Sequence, residues 1–201
     1  MIKTVIFDMG GVILRTIDPA PRERMAERFG CSRAELEDFV FSSPTSVQSE
    51  IGQLDDIEHW RVVLENFRQT GITPLEAYYE FFSGDEIDQD LINFASSLKK
   101  ERKIGLLSNA WVNARQRLGA LYEFIDIFDV AIFSSEVGVR KPEKAIFDLM
   151  LAKLDAKPQE AIFIDDFAIN FRGAEEAGLH SILFMNKIDT IREVNTLLTS
   201  V

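Results

Sequence analysis

Five short runs of consecutive apolar residues punctuate the chain: Thr4-Val-Ile-Phe7, Ile104-Gly-Leu-Leu107, Val130-Ala-Ile-Phe133, Ala161-Ile-Phe-Ile164 and Ser181-Ile-Leu-Phe184. Runs this short, without polar alternation, suit strands covered on both faces, the habit of parallel sheets flanked by helices. Between the later runs the apolar positions recur at helical spacing, as Leu91, Phe94, Ala95 and Leu98, then Ile146, Leu149, Met150 and Leu154, then Ala174 and Ala177 closed by Gly178. This alternation predicts right-handed crossovers and an α/β, doubly wound, Rossmann-like and mostly parallel sheet. The tail from Lys187 to Ser200 reads as a terminal helix.

The first run breaks the rhythm, because some 70 residues follow it before the alternation resumes. Residues 16–85 read instead as helices over Pro21 to Phe29, Arg33 to Phe41, Asp55 to Arg68 and Pro74 to Phe82, with breaks at Gly30, Pro44, Gly71 and Gly84. The predicted organisation is a discontinuous α/β core, 1–15 and 86–201, carrying an all-helical cap inserted at 16–85.

Composition narrows the function classes. The 201 residues are 46% hydrophobic with 16 Phe, enough for a sizeable core, and carry a net charge of −11. That charge speaks against nucleic acid as a partner. It is unevenly placed: residues 16–85 hold 6 Lys+Arg against 14 Asp+Glu, a net of −8, and the remainder holds a net of −3. A single cysteine, Cys31, excludes an internal disulfide, and two histidines, His59 and His180, leave no His or Cys cluster for zinc. Met1 to Phe7 is too short for a membrane span, and no signal pattern is visible. The expectation is a cytoplasmic protein without membrane contact, monomeric or a homodimer.

The chemistry lies where the apolar runs end: Asp8 after the first, Ser108-Asn109 after the second, Ser134-Ser135 after the third and Asp165-Asp166 after the fourth. In an open parallel sheet the carboxyl ends of the strands share one edge, and ligands bind in the crevice outside it. Three carboxylates gathered there need positive charge. Oxygen-only donors point to a hard cation, Mg²⁺, and Lys141, in the loop Val137-Gly-Val-Arg-Lys141-Pro142, offers a second positive group. A divalent ion, a lysine, small donors and an attacking carboxylate, Asp8, together describe phosphoryl transfer.

The segments Val5-Ile-Phe-Asp8-Met-Gly-Gly-Val12, Leu106-Leu-Ser108-Asn109, Gly138-Val-Arg-Lys141-Pro142 and Ile162-Phe-Ile-Asp165-Asp166, in this order and spacing, resemble the four motifs of the haloacid dehalogenase-like (HAD) hydrolases. The resemblance implies Asp8 as nucleophile, with Ser108 and Lys141 catalytic. Ser108, Asn109, Lys141 and Gly11 would bind substrate. Asp8, the Gly10 backbone carbonyl, Asp165 and Asp166 would hold Mg²⁺. It further implies a phosphatase acting on a small phosphorylated metabolite, such as a sugar phosphate. One departure stands out. Most phosphatases of this family carry a second aspartate where this chain has Gly10, and glycine moves no proton; a lost general acid typically lowers rate by ~10²–10⁴-fold.

Two alternatives follow from the same motifs. A 2-haloacid dehalogenase uses the same aspartate and needs no acid, but Asp165-Asp166 argues for a metal it would not require. A non-catalytic protein of the same fold is the other. In the insertion, Phe39, Phe41, Trp60, Phe67, Tyr78, Tyr79, Phe81 and Phe82 read as core and docking residues rather than a substrate box. His59 and His180 read as structural or exposed, Cys31 as unreactive, and Arg15, Arg22, Arg24, Trp111 and Arg115 as residues that could equally reach a substrate or lie on the surface.

Overall fold

The computed structural model describes residues 1–199. Ser200, the last residue of the predicted terminal helix, lies outside the described residues. The chain begins with β1 (Thr4–Phe7) and β2 (Leu14–Thr16), then forms α1 (Ala20–Phe29), α2 (Arg33–Ser42), α3 (Pro44–Glu50), α4 (Asp56–Asn66) and α5 (Pro74–Phe82). After β3 (Asp85–Ile87) and α6 (Gln89–Leu98) come β4 (Lys103–Ser108), α7 (Ala114–Leu121), β5 (Val130–Phe133), the single turn α8 (Ser134–Val137) and α9 (Lys144–Leu154). β6 (Ala161–Asp165), α10 (Ala168–Glu176), β7 (His180–Leu183) and α11 (Lys187–Thr199) complete it.

Each predicted apolar run is a strand, and all five join one parallel sheet in the order β5-β4-β1-β6-β7. The strand period of two sorts their side chains. Val5, Phe7, Leu106, Ile162 and Ile164 face Leu91, Ile92, Ala95, Leu118 and Val194 from α6, α7 and α11. Ile6, Leu107, Ile132 and Phe163 face Ile146, Phe147, Met150 and Ala174 from α9 and α10. Burying each such side chain contributes roughly 1.5–3 kcal/mol, so the two-sided burial explains why the strands lack polar alternation.

Between β1 and α6 the structure adds a strand pair and one short helix to the expected helices. β2 and β3 form an antiparallel ribbon, with Thr16 opposite Asp85, so the chain enters and leaves the helical segment at one point. The break expected at Pro44 is the single residue Ser43 between α2 and α3, and Pro44 opens the new helix. It sits in the first turn of α3, with Ser43 as N-cap accepting from the Ser46 N–H, a position where proline's missing N–H is harmless. The helices enclose their own apolar centre, with Met25, Phe29, Leu36, Trp60, Val63 and Phe81 buried. Phe39, Phe67, Tyr78 and Phe82 pack against it, while Phe41 and Tyr79 are part exposed. His59 is buried, with Nε2 2.9 Å from the Val40 carbonyl and Nδ1 2.9 Å from Thr45 Oγ1. His180 is exposed, and Cys31 is a free thiol whose Sγ lies 3.7 Å from the Ala26 carbonyl oxygen.

The helix expected from Trp111 begins at Ala114. Asn113 has φ +68°, and the Trp111-Val112 stretch is drawn toward α3 instead.

Candidate active site

β1, β4 and β6 are adjacent, so the residues ending them meet at one edge: Asp8, Ser108 and Asp165-Asp166. The carboxylates of Asp8, Asp165 and Asp166 lie within 4.8 Å of one another. Lys141 reaches them from the loop before α9, its Nζ 2.6 Å from Asp8 Oδ1 and 2.7 Å from Asp165 Oδ2. The lysine is 1% exposed.

The surrounding hydrogen bonds sort these residues by what remains available. Asp8 Oδ1 also accepts the Met9 N–H at 2.7 Å. Asp165 is held on both oxygens: Oδ1 accepts the Phe167 N–H at 2.8 Å and Oδ2 accepts Lys141, while the Asn170 amide lies 3.1 Å from each. Asp166 Oδ1 is buried with no hydrogen-bond partner. A buried, unpaired carboxylate oxygen is costly, and here it marks where a cation fits.

Charge points the same way. Among the described residues one ammonium stands against three carboxylates, which leaves the formal balance of a single divalent ion. Burial raises the Asp8 carboxyl well above the usual range, and Lys141 only partly opposes this. Burial and then the neighbouring Asp165 push Asp166 up to about 6. Burial pulls the Lys141 ammonium down, yet Asp8 and Asp165 outweigh it and hold it above an ordinary lysine. Asp8 and Asp166 thus keep carboxylate oxygens able to ligate a hard cation.

Two expected substrate contacts are otherwise engaged. Asn109 brackets the Lys141 peptide, its Nδ2 donating to the Lys141 carbonyl at 2.9 Å and its Oδ1 accepting the Lys141 N–H at 2.8 Å. It therefore positions the lysine. The Gly11 N–H donates to the Leu14 carbonyl at 2.9 Å. Glycine is required there on other grounds: φ is +80°, and a Cβ would lie 2.1 Å from Asp166 Oδ2. Gly10 differs, since nothing lies within 4 Å of a Cβ built on it, so an acidic side chain has room that the chain leaves empty. Ser108 is buried, with its hydroxyl 3.3 Å from the Asn109 carbonyl. Ser134 and Ser135 support the neighbouring loop: Ser134 Oγ accepts the Ala110 N–H and Ser135 Oγ donates to the Trp111 carbonyl.

Three of the four arginines considered from sequence have partners within the protein. Arg15 pairs with Asp88, Arg22 with Asp85 and Glu37, and Arg115 with Glu136. Arg24 is exposed, and Trp111 is buried against the helical segment. Sequence reasoning missed Asn170 and Glu50. Asn170 lies five residues after Asp165, in the first turn of α10, and no pattern near it signals the contact.

Comparison with known proteins identifies the family. The family model for haloacid dehalogenase-like hydrolases matches residues 2–178, and the chain belongs to that family of hydrolases. It is 24% identical to D-ribitol-5-phosphate phosphatase of Bacteroides thetaiotaomicron over 216 residues, covering 100% of both chains. It is 29% identical to bifunctional epoxide hydrolase 2 of Mus musculus over 124 residues, 59% of this chain, and spans 22% of that relative's length. Among solved structures, a predicted HAD-like family hydrolase of Porphyromonas gingivalis superposes with a TM-score of 0.79 at 25% identity, covering 99% and 98% of the two chains. The HAD-family enzyme bt-2542 of Bacteroides thetaiotaomicron, in complex with magnesium and inorganic phosphate, shares the fold with a TM-score of 0.74 at 22% identity, covering 90% and 93%.

Proposed function

We propose that the chain is a Mg²⁺-dependent phosphatase that hydrolyses a small organic phosphate monoester, such as a sugar phosphate, through an aspartyl-phosphate on Asp8. The observation that carries this reading is the orphaned Asp166 oxygen beside two further buried carboxylates and one ammonium. Asp8, Asp166 and the Gly10 carbonyl would hold the metal. Asp165, whose oxygens are already taken, would take part through water. When bound, Mg²⁺ supplies the positive charge that neutralises the carboxylates and the oxygens of the transferring group.

The protein's own groups divide the remaining work. Asp8 Oδ1 is held by Met9 and Lys141, leaving Oδ2 to attack phosphorus in line. The P–O bond to the ester oxygen breaks, and that oxygen leaves with the electron pair and takes its proton from water, since Gly10 carries no acid. Lys141 and the Ser108 hydroxyl steady the negative charge on the transferring group. Water then attacks phosphorus, phosphate departs and Asp8 is regenerated.

In this reading residues 16–85 form the cap and residues 1–15 and 86–201 the catalytic core. The cap would screen the site from bulk water and restrict substrates to small metabolites. A cytoplasmic setting is part of the same proposal; no helix among the described residues is long and apolar enough to cross a membrane. The relative named as a ribitol-phosphate phosphatase and the magnesium–phosphate complex of bt-2542 support it. The test is a panel of phosphate monoesters assayed with Mg²⁺ and with EDTA. Mg²⁺-dependent phosphate release is expected, and metal-independent halide release from 2-haloacids would favour the dehalogenase instead.

A further inference from the structure

The helical segment meets the core through Asp55 and Asp56 at the start of α4, which pair with Asn113 and Arg117, and through one short helix whose buried face is polar. Ser46, Ser49 and Glu50 of α3 are spaced i, i+3 and i+4, so they share a face, and all three are buried. Ser46 Oγ accepts the Trp111 indole N–H at 3.0 Å, and Ser49 Oγ accepts the Val112 N–H at 3.3 Å. Glu50 Oε2 lies 2.7 Å from Arg140 Nε. The next turn is equally close: a Cβ on Gly52 would lie 2.4 Å from the Ser135 carbonyl oxygen, so backbone abuts backbone.

The core residues held in this way adjoin the ones that build the site. Trp111 and Val112 follow Ser108-Asn109, and Arg140 immediately precedes Lys141. Asn109 and Lys141 are themselves joined by two hydrogen bonds. One helix thus grips both loops on either side of that junction. Burial raises the Glu50 carboxyl above its ordinary value, with Arg140 and then Lys141 partly opposing it.

An apolar face would hold the two parts together at least as well, because burying a carboxylate and a guanidinium carries a desolvation penalty that their attraction seldom exceeds. The Ser46 and Ser49 hydrogen bonds add direction instead, and Glu50 with Arg140 adds an ion pair, its two facing atoms having no hydrogen-bond partner. We propose that the Ser46, Ser49 and Glu50 face of α3 is a template that sets the Ser108-Asn109 and Lys141 loops, with Glu50 a positioning residue that acts on Lys141 through Arg140. The proposal rests on the phosphatase reading for what Lys141 does, and not for where it is held. The helical segment is then part of the site's assembly as well as its cover.

The test compares Glu50→Gln with Val63→Ala, which trims the apolar interior of the helical segment and takes part in none of the polar contacts of α3. The full chain, loaded with Mg²⁺ and well below its melting temperature, is read in two ways. One is the rate at which acetic anhydride modifies Lys141, followed by peptide mass spectrometry. The other is kcat and KM for p-nitrophenyl phosphate. Glu50→Gln is expected to raise Lys141 modification several-fold and to lower kcat about 10- to 100-fold with KM unchanged, the scale of effect expected when a reacting group is slightly misplaced. Val63→Ala is expected to lower the melting temperature and move neither readout. Arg140→Gln breaks the same pair from the other side and must reproduce the Glu50→Gln result, which covers the case of a variant that does not fold. Unchanged Lys141 modification in Glu50→Gln and Arg140→Gln, or equal changes in Val63→Ala, would overturn the template. If the wild-type chain releases no phosphate, the phosphatase reading fails, and Lys141 modification alone decides the template.

Discussion

The Lys141 ammonium stands 2.6 Å from Asp8 and 2.7 Å from Asp165, with Asp166 beside them. It is the internal counter-ion of a buried cluster that remains negative even with the lysine in place. Replacing it by the neutral Lys141→Gln leaves buried carboxylates without a partner, a change that typically costs about 3–5 kcal/mol. The melting temperature in EDTA should fall sharply and recover in part with Mg²⁺. A melting temperature indifferent to both the substitution and the metal would contradict the charge balance described above.

Asp8→Asn removes one negative charge from the same cluster while keeping its shape. Phosphate release should vanish, yet the variant should melt no lower than wild type in EDTA. Loss of activity accompanied by a large loss of stability would instead mark Asp8 as structural.

Gly10 and Gly11 are neighbours with opposite tolerances. Gly10→Ala enters open space and should change stability by less than about 1 kcal/mol. Gly11→Ala meets both a left-handed backbone and the Asp166 carboxylate, and should destabilise by about 1–3 kcal/mol while weakening Mg²⁺ binding, measurable by calorimetric titration. Equal tolerance at the two positions would count against the tight turn and its packing on Asp166.

His59 gives the stability curve a defined acid limb. The Val40 carbonyl can only accept, so Nε2 carries the proton and Nδ1 accepts from the Thr45 hydroxyl. Burial lowers the His59 pKa from 6.5 to about 4. As pH falls the unfolded chain binds the proton first. This contribution is therefore complete above about pH 6.5 and falls away toward pH 4, by about 3 kcal/mol. Urea denaturation across that range should show the decline, and His59→Gln should flatten it. A wild-type slope unaltered by His59→Gln would rule the histidine out.

Much of the core was legible because its physics is local. Strands buried on both faces must be apolar along their length, so the five runs announced the sheet, and the polar residues ending the first four announced the edge where Asp8, Ser108 and Asp165 meet. What stayed hidden depends on partners distant in sequence. The Asn109 bracket on Lys141 joins residues 32 apart, and nothing near either one signals it. α3, with the polar sequence Pro-Thr-Ser-Val-Gln-Ser-Glu, carries too little apolar periodicity to be seen as a helix, and Ser46, Ser49 and Glu50 look like surface residues until the core covers them. The β2–β3 ribbon is three residues per strand, too short for a pattern of any period.

The central claim is that Asp8 is phosphorylated during turnover. A Mg²⁺-loaded sample mixed with a phosphate monoester, quenched within milliseconds and reduced with borohydride, converts an acyl-phosphate to homoserine that peptide mass spectrometry locates. The account predicts that product at position 8, and its loss in EDTA. Mg²⁺-dependent phosphate release with Asp8 unmodified, or turnover that persists in EDTA, would contradict it.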